Sequence, residues 1–344
     1  MITTNRKLIN WLYSGCFLIF IMVVVGGITR LTGSGLSITE WNVITGTIPP
    51  LTDEQWTEEF NKYQQSPQFQ QINTHFELSN FKNIYWWEYI HRLVGRLLGI
   101  VFLVPFVYFL IKKQIRKDLL PKLILIFALG AWQGFLGWYM VKSGLLNEPY
   151  VSHFRLAIHL VNAFLTFGYI YWVILDLKFG SKRMKEQNLR QAISISVVTF
   201  ILVVIQLIYG GFVAGLHAGH IYNTWPMMGN EWIASSVIAA YQNMGIMSLL
   251  SDISCVQFIH RTVGLLIFIL IALMWGMRNK AQWNLKSKQK YAINLAMGFV
   301  SIQVLLGIFT LIFNVPIWLG VIHQIGAFML FAGIIFQIHC LKKG

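Results

Sequence analysis

Trp86-Trp87-Glu88-Tyr89-Ile90-His91-Arg92-Leu93-Val94-Gly95-Arg96 leads into a long apolar stretch, and Gln257-Phe258-Ile259-His260-Arg261-Thr262-Val263-Gly264 repeats it in the second half of the chain. A second pair of stretches also matches: Ala157-Ile158-His159-Leu160-Val161-Asn162-Ala163-Phe164 and Val321-Ile322-His323-Gln324-Ile325-Gly326-Ala327-Phe328. Each histidine stands near the start of a segment apolar enough to enter a bilayer. An ionisable side chain there is costly and is read by default as functional.

Working outward, the 344 residues are 56% hydrophobic and only 12% charged, against roughly 25% charged in an average soluble domain. Runs of about 20 apolar residues, the length that crosses a ~30 Å hydrocarbon core, fall near 11–30, 88–111, 123–141, 155–175, 192–213, 257–277, 292–313 and 318–338. The expected fold is all-α, a polytopic membrane protein of eight transmembrane helices.

The formal net charge of +14 follows topology and calls for no nucleic acid. Basic residues cluster at Arg6 and Lys7, at Lys342 and Lys343, and in three alternate connections: Lys112 to Lys122, Lys178 to Arg190, and Arg278 to Lys290. The other connections hold only Lys62, Lys82 and Lys142. The positive-inside rule then predicts a multi-pass protein of the cell inner membrane with both termini cytoplasmic. Cys16, Cys255 and Cys340 are far apart and imply no disulfide framework. The first apolar run lacks an Ala-x-Ala-like cleavage site and is read as a retained span.

The chain repeats itself. Gly26-Gly27 and Gly210-Gly211 end the first and fifth runs, and a Gln-x-x-x-Gly element recurs at Gln133 to Gly137 and Gln303 to Gly307. Matched residues are offset by 184 for the glycines, 169 for His91 and His260, 170 for the glutamines, and 164 for His159 and His323. The inferred halves are 1–178 and 190–344, two pseudo-symmetric four-helix bundles. Four spans return the chain to its starting side, so the axis relating them runs along the membrane normal. The loop 31–85 is long enough to suggest function, and the spacing of Trp56, Phe60 and Tyr63 suggests a short amphipathic helix on the membrane surface. Gly95 with Gly99, Gly130 with Gly134, and Gly211 with Gly215 read as close helix packing.

In this topology the four histidines lie within two turns of the outer helix ends, on the order of 10 Å deep. Neutral imidazole on facing helices is how bundles hold metal or haem iron. A structural hydrogen bond would explain one such histidine better than four in register. A bare zinc site would add carboxylate or thiolate ligands, whereas each half offers two histidines and a surplus of aromatics suited to a flat apolar ring. Two haem sites, side by side at one depth, are expected.

Arg30, Arg92, Arg96, Arg155 and Arg261 all fall at outer helix ends, against the positive-inside trend. Haem propionates would favour them through charge-assisted pairs, as would snorkelling to headgroups. Arg92 and Arg261, beside the histidines, are assigned to the haems; Arg30 and Arg155 fit either account. Glu88 breaks the symmetry, because its counterpart is Gln257. A carboxylate can take a proton and an amide cannot, so proton-transfer chemistry belongs to the first half and a permanent electron carrier to the second. An acid that merely complements a helix N-terminus is the alternative. His217 and His220 form an H-x-x-H read as solvated loop, and His75, His153 and His339 carry no pattern.

With these residues in hand, the sequence resembles the haem A synthase family over nearly its whole length. Gly26-Gly27-Ile28-Thr29-Arg30-Leu31-Thr32-Gly33-Ser34-Gly35-Leu36-Ser37, then Glu40-Trp41, Gly46 and Pro49-Pro50, resemble the family's first outer motif. Glu88 to Arg92 with Gly95-Arg96 is similar to its signature, and Phe212-Val213-Ala214-Gly215-Leu216 with Asn223-Thr224-Trp225-Pro226 to its second-half motif. Residues 31–85 lack the cysteine pair of some members, which places the chain with the branch that has none. The resemblance implies a resident haem b on His260 and His323, and haem O as substrate at His91 and His159. It also implies two successive hydroxylations of the haem O C8 methyl with water-derived oxygen, dehydration to the formyl group of haem A for terminal oxidases, and Glu88 as catalytic acid or base. A handover partner, haem O synthase, follows from the order of the pathway.

Two other functions compete. A di-haem b-type electron-transfer cytochrome also pairs histidines, but it usually stacks its haems at different depths. A haem transporter would need polar groups through the inner half of its spans, and these are almost wholly apolar here.

Overall fold

The computed structural model describes residues 2–40, 45–144, 149–180 and 187–343. Trp41, Lys182, Arg183 and Lys185 lie outside the described residues. Among those described, eight helices are long and apolar enough to cross a membrane. They are Ile2–Leu31 (α1), Leu78–Ile111 (α2), Leu120–Gly144 (α3), His153–Phe179 (α4), Arg190–Gly215 (α5), Ile253–Met277 (α6), Ser287–Ile312 (α7) and Ile317–Lys343 (α8). The described chain has no strand, only an isolated bridge between Met228 and Glu231.

The helices close into two rings. α1 packs on α2 and α4, and α3 on α4, with α2 and α3 meeting lightly; α5 packs on α6 and α8, and α7 on α6 and α8. The rings share a wall in which α4 and α1 lie against α5 and α8. Lipid tails give no hydrophobic drive between helices, so packing must hold this wall. At its centre stand Phe164 and Phe328, which are 164 residues apart and hence repeat mates, with ring centroids 5.4 Å apart. Phe167 and its mate Phe331 complete the cluster, at 4.2 Å from Phe328 and 5.4 Å from Phe164. Edge-to-face and tilted contacts of this kind suit the ring quadrupole.

Three expectations change. First, α2 begins at Leu78, ten residues before the expected 88, so His91 lies thirteen residues into its helix rather than within two turns. The extension is held by protein contacts: Phe81, Ile84 and Tyr85 are buried against Trp56 and Tyr63. Second, the helix predicted around Trp56 exists as Asp53–Gln64, started by a Thr52–Gln55 capping box, and its apolar face is turned to protein. That face is covered by α2, with Trp56 against Tyr85 at 5.0 Å and Tyr63 against Phe81 at 5.2 Å. Third, the glycine pairs divide. A Cβ on Gly211 would stand 2.8 Å from Ala157 Cα and one on Gly215 2.7 Å from His153 Cα, true close packing of α5 on α4. Gly99, Gly130 and Gly134 face open space.

At the opposite end from the histidines, Asp176 accepts from Lys343 at 2.8 Å and Lys122 at 3.3 Å, and lies 3.3 Å from His339 Nε2. His339, expected to do nothing specific, is fully buried in this cluster joining α3, α4 and α8. The three cysteines are free and buried.

Candidate functional site

Each of the four histidines is seated against a glycine of the neighbouring helix. A Cβ at Gly26 of α1 would stand 3.2 Å from His91 Nε2, and one at Gly137 of α3 3.2 Å from His159 Cε1. In the second ring, Gly210 of α5 and Gly307 of α7 would place theirs 3.5 and 3.0 Å from Cε1 of His260 and His323. The repeated glycine motifs thus have a physical cause at Gly26, Gly137 and Gly307, where a Cβ would crowd an imidazole; at Gly210 the 3.5 Å approach is ordinary contact. α2 stands opposite α4 in one ring and α6 opposite α8 in the other, which sets His91 across a ring from His159 and His260 across from His323.

Glutamines accompany three of the four. Gln133 Nε2 donates to the His159 carbonyl at 3.0 Å and lies 3.2 Å from its Nε2. Gln206 does the same for His260 at 2.9 and 3.4 Å, and Gln303 Nε2 lies 3.4 Å from His323 Nε2. The fourth position, 184 residues before Gln206, is Met22, so among the described residues His91 alone of the four has no glutamine placed in this way. The Gln206–Met22 difference was not singled out from the sequence, although the repeat offset exposes it.

Glu88 is buried, and its carboxylate accepts four hydrogen bonds. Ser37 Oγ donates to Oε2 at 2.8 Å and the Ile38 amide at 2.9 Å. Arg92 donates to Oε1 through Nη2 at 2.7 Å and Nε at 3.1 Å. Arg92 also donates to the carbonyls of Glu40 at 2.8 Å and Ile38 at 2.9 Å. The pair sits one turn apart on α2 and fastens the loop that follows α1. The second ring builds the same fastening without a carboxylate: Gln257 Nε2 donates to Tyr222 O at 3.2 Å, and Arg261 Nη2 to Thr224, Pro226 and Met227 carbonyls at 2.9, 3.0 and 3.1 Å. Arg261 Nη1 and Gln257 Oε1 are buried without a hydrogen-bond partner among the described residues. The guanidiniums assigned to propionates thus engage loop carbonyls, and Arg261 keeps one donor in reserve. Nothing in the sequence marks Ser37 or Ile38 as Glu88's partners, which lie about fifty residues away.

The remaining candidates resolve simply. Arg30 crosses to the second half, donating through Nη2 to Ala214 and Gly215 carbonyls at 2.6 and 3.1 Å and standing 3.0 Å from His217 Nε2. Arg155 lies over the Tyr139 ring at 3.9 Å. His220 faces Asn314 at 3.0 Å rather than His217, so the H-x-x-H does not converge. Burial and the nearby Arg30 and His220 lower the His217 pKa to about 4. Among the described residues no three His, Cys, Asp or Glu side chains gather as a metal site.

The donor set fits haem iron. His260 Nδ1 and His323 Nδ1 are buried without partners, and so are Gln206 Oε1 and Gln303 Oε1. Each ring brings two imidazoles to its interior, with the amides of Gln133, Gln206 and Gln303 beside three of them.

Comparison with known proteins agrees. A family model described as cytochrome oxidase assembly protein matches residues 9–335. The heme A synthase of Flavobacterium psychrophilum is 47% identical over 341 residues, covering 98% of this chain and 99% of that protein. That of Flavobacterium johnsoniae is 48% identical over 345 residues, covering 98% and 99%. That of Nitrosospira multiformis is 42% identical over 343 residues, covering 98% and 94%. With the repeat, the glycine-seated histidines and this full-length likeness together, the chain belongs to the haem A synthase family of cytochrome oxidase assembly proteins.

Proposed function

We propose that the α1–α4 ring takes haem O between His91 and His159 and oxidises it to haem A, while the α5–α8 ring keeps a haem b between His260 and His323. What carries this division is the acid present beside only one of the two histidine pairs. The reaction takes the C8 methyl to a formyl group by two hydroxylations with water-derived oxygen and a dehydration, and each hydroxylation releases two protons and two electrons, the electrons passing to an acceptor outside this chain. Glu88 Oε1 is tied to Arg92, so Oε2, shared with the Ser37 hydroxyl, is the atom at which a proton is taken up and passed on.

Haem b, when bound, supplies one-electron redox capacity to the second ring. There, among the described residues, Arg261 has no carboxylate in ion-pair contact, and its spare buried donor suits an anionic propionate. In the first ring Glu88 already neutralises Arg92, so a substrate is held less firmly and can leave. The charge pattern of the loops supports cytoplasmic termini and haem sites near the outer face of the inner membrane. A haem O synthase in the same bilayer is the source of substrate.

The test is to express the chain with a haem O source and identify extracted haems by mass. Wild type should yield haem A beside haem b. Glu88→Gln should retain haem b and lower haem A by at least about a hundredfold, in the range expected for loss of a general acid or base. Haem b alone in both, with no haem O or haem A, would instead indicate a di-haem electron carrier.

A further inference from the structure

On the cytoplasmic side of the histidines, the two rings differ in what fills them. In the first, Gly99 lies eight residues beyond His91 on α2, and Thr166 seven beyond His159 on α4. On α3, Gly130 lies seven residues below Gly137, which touches His159. At ~1.5 Å per residue these form one layer roughly 10–12 Å below the imidazoles, with Gly134 just above it. A Cβ on Gly99, Gly130 or Gly134 would meet nothing within 4 Å. The floor beneath is closed by aromatics: Phe102 stacks on Phe127 at 6.2 Å and meets Trp11 at 5.1 Å.

Thr166 is a second, independent observation. It is only 6% exposed, and its Oγ1 has no hydrogen-bond partner among the described residues. Seven residues from His159, it shares the helix face that carries the imidazole into the ring. Burying an unpaired hydroxyl is unfavourable, so a ligand group is called for there. In the second ring the repeat offsets (99 + 169, 130 + 170, 134 + 170, 166 + 164) give Phe268, Val300, Val304 and Leu330. Val300 and Leu330 are buried in the core.

Haem O differs from haem b by a hydroxyethyl group bearing an isoprenoid chain, on the porphyrin edge away from the propionates. With propionates toward the outer arginines, that edge points into this layer. We propose that Gly99, Gly130, Gly134 and Thr166 form the subsite for this substituent. The Thr166 hydroxyl pairs with the hydroxyethyl oxygen, and the glycines leave room for the isoprenoid, which exits between the lightly packed α2 and α3. Phe268, Val300, Val304 and Leu330 close the second ring to any haem with a tail. The inference rests on the assignment of rings given above.

The test titrates haem O and haem b separately into the purified full chain in nanodiscs, with its resident haem retained, for wild type, Thr166→Val and Gly130→Val/Gly134→Val. Wild type should take haem O in preference to haem b. Thr166→Val should reduce that preference about fivefold, the net worth of one hydrogen bond. The double variant should lose haem O uptake at least tenfold while still accepting haem b and keeping its resident haem. Equal haem O uptake by all three would overturn the subsite, and if the double variant loses its resident haem, Thr166→Val decides alone. Uptake insensitive to His91→Ala would instead overturn the ring assignment.

Discussion

At the scale of the residue, Gly26, Gly137 and Gly307 determine whether three of the four imidazoles can sit where they do. Leucine at Gly137 would drive a branched side chain into His159, whose Cε1 stands 3.2 Å from the position of a Cβ. Gly137→Leu should abolish haem A formation while the haem b content stays at one per chain. Gly307→Leu, pressing on His323, should remove haem b instead, and haem extraction from both variants checks the contrast. The glycines were legible as repeats, Gly26 with Gly210 and Gly137 with Gly307, but not as seats for imidazoles, because the separation of glycine from histidine differs between the halves, 22 residues from Gly137 to His159 and 16 from Gly307 to His323. Glu88 was legible as an asymmetry, since Gln257 occupies its place. Its partners Ser37 and Ile38 were not, because hydrogen bonds across a loop leave no periodic trace.

Among the elements, α2 departs most from its hydropathy. Leu78 to Trp87 mixes Asn80, Lys82 and Asn83 with aromatics, so an apolar window ends near Glu88 although the helix continues outward. What extends it is the loop helix Asp53–Gln64, whose Trp56 is buried on Phe81 and Tyr85. The same loop delivers Ser37 and Ile38 to Glu88. Trp56→Ala should therefore cost about 3 kcal/mol of stability, at the lower end for truncating a buried Trp. It should also lower haem A formation without lowering haem b, measured by thermal unfolding in detergent beside haem extraction. The glycine pairs teach the reverse lesson: Gly211 and Gly215 pack closely, whereas Gly130 and Gly134 have the same spacing and touch nothing, because spacing alone does not say which wall faces a partner.

For the whole molecule, the repeat and the eight spans were readable from composition and offsets, whereas the contacts joining the halves were not. Asp176 and its partners Lys122, His339 and Lys343 are 54 to 167 residues apart, and Arg30 reaches His217 across 187. The Arg30 contact has a pH signature. His217 is held neutral in the folded chain, with its pKa lowered from 6.5 to about 4 by burial first and by Arg30 and His220 next. The unfolded chain binds that proton more readily, so the stabilisation is whole above pH 6.5 and is lost as pH falls toward 4. The melting temperature of wild type relative to His217→Gln should fall over that window, and a constant difference would count against the contact.

The most direct measurement of the central claim is the haem content of half-specific histidine variants expressed with haem O and analysed by mass. His91→Ala and His159→Ala should eliminate haem A while retaining haem b, and His260→Ala and His323→Ala should lose haem b. Loss of the same haem from all four, or haem A persisting without His91 and His159, would contradict the division of the molecule into a substrate ring and a resident ring.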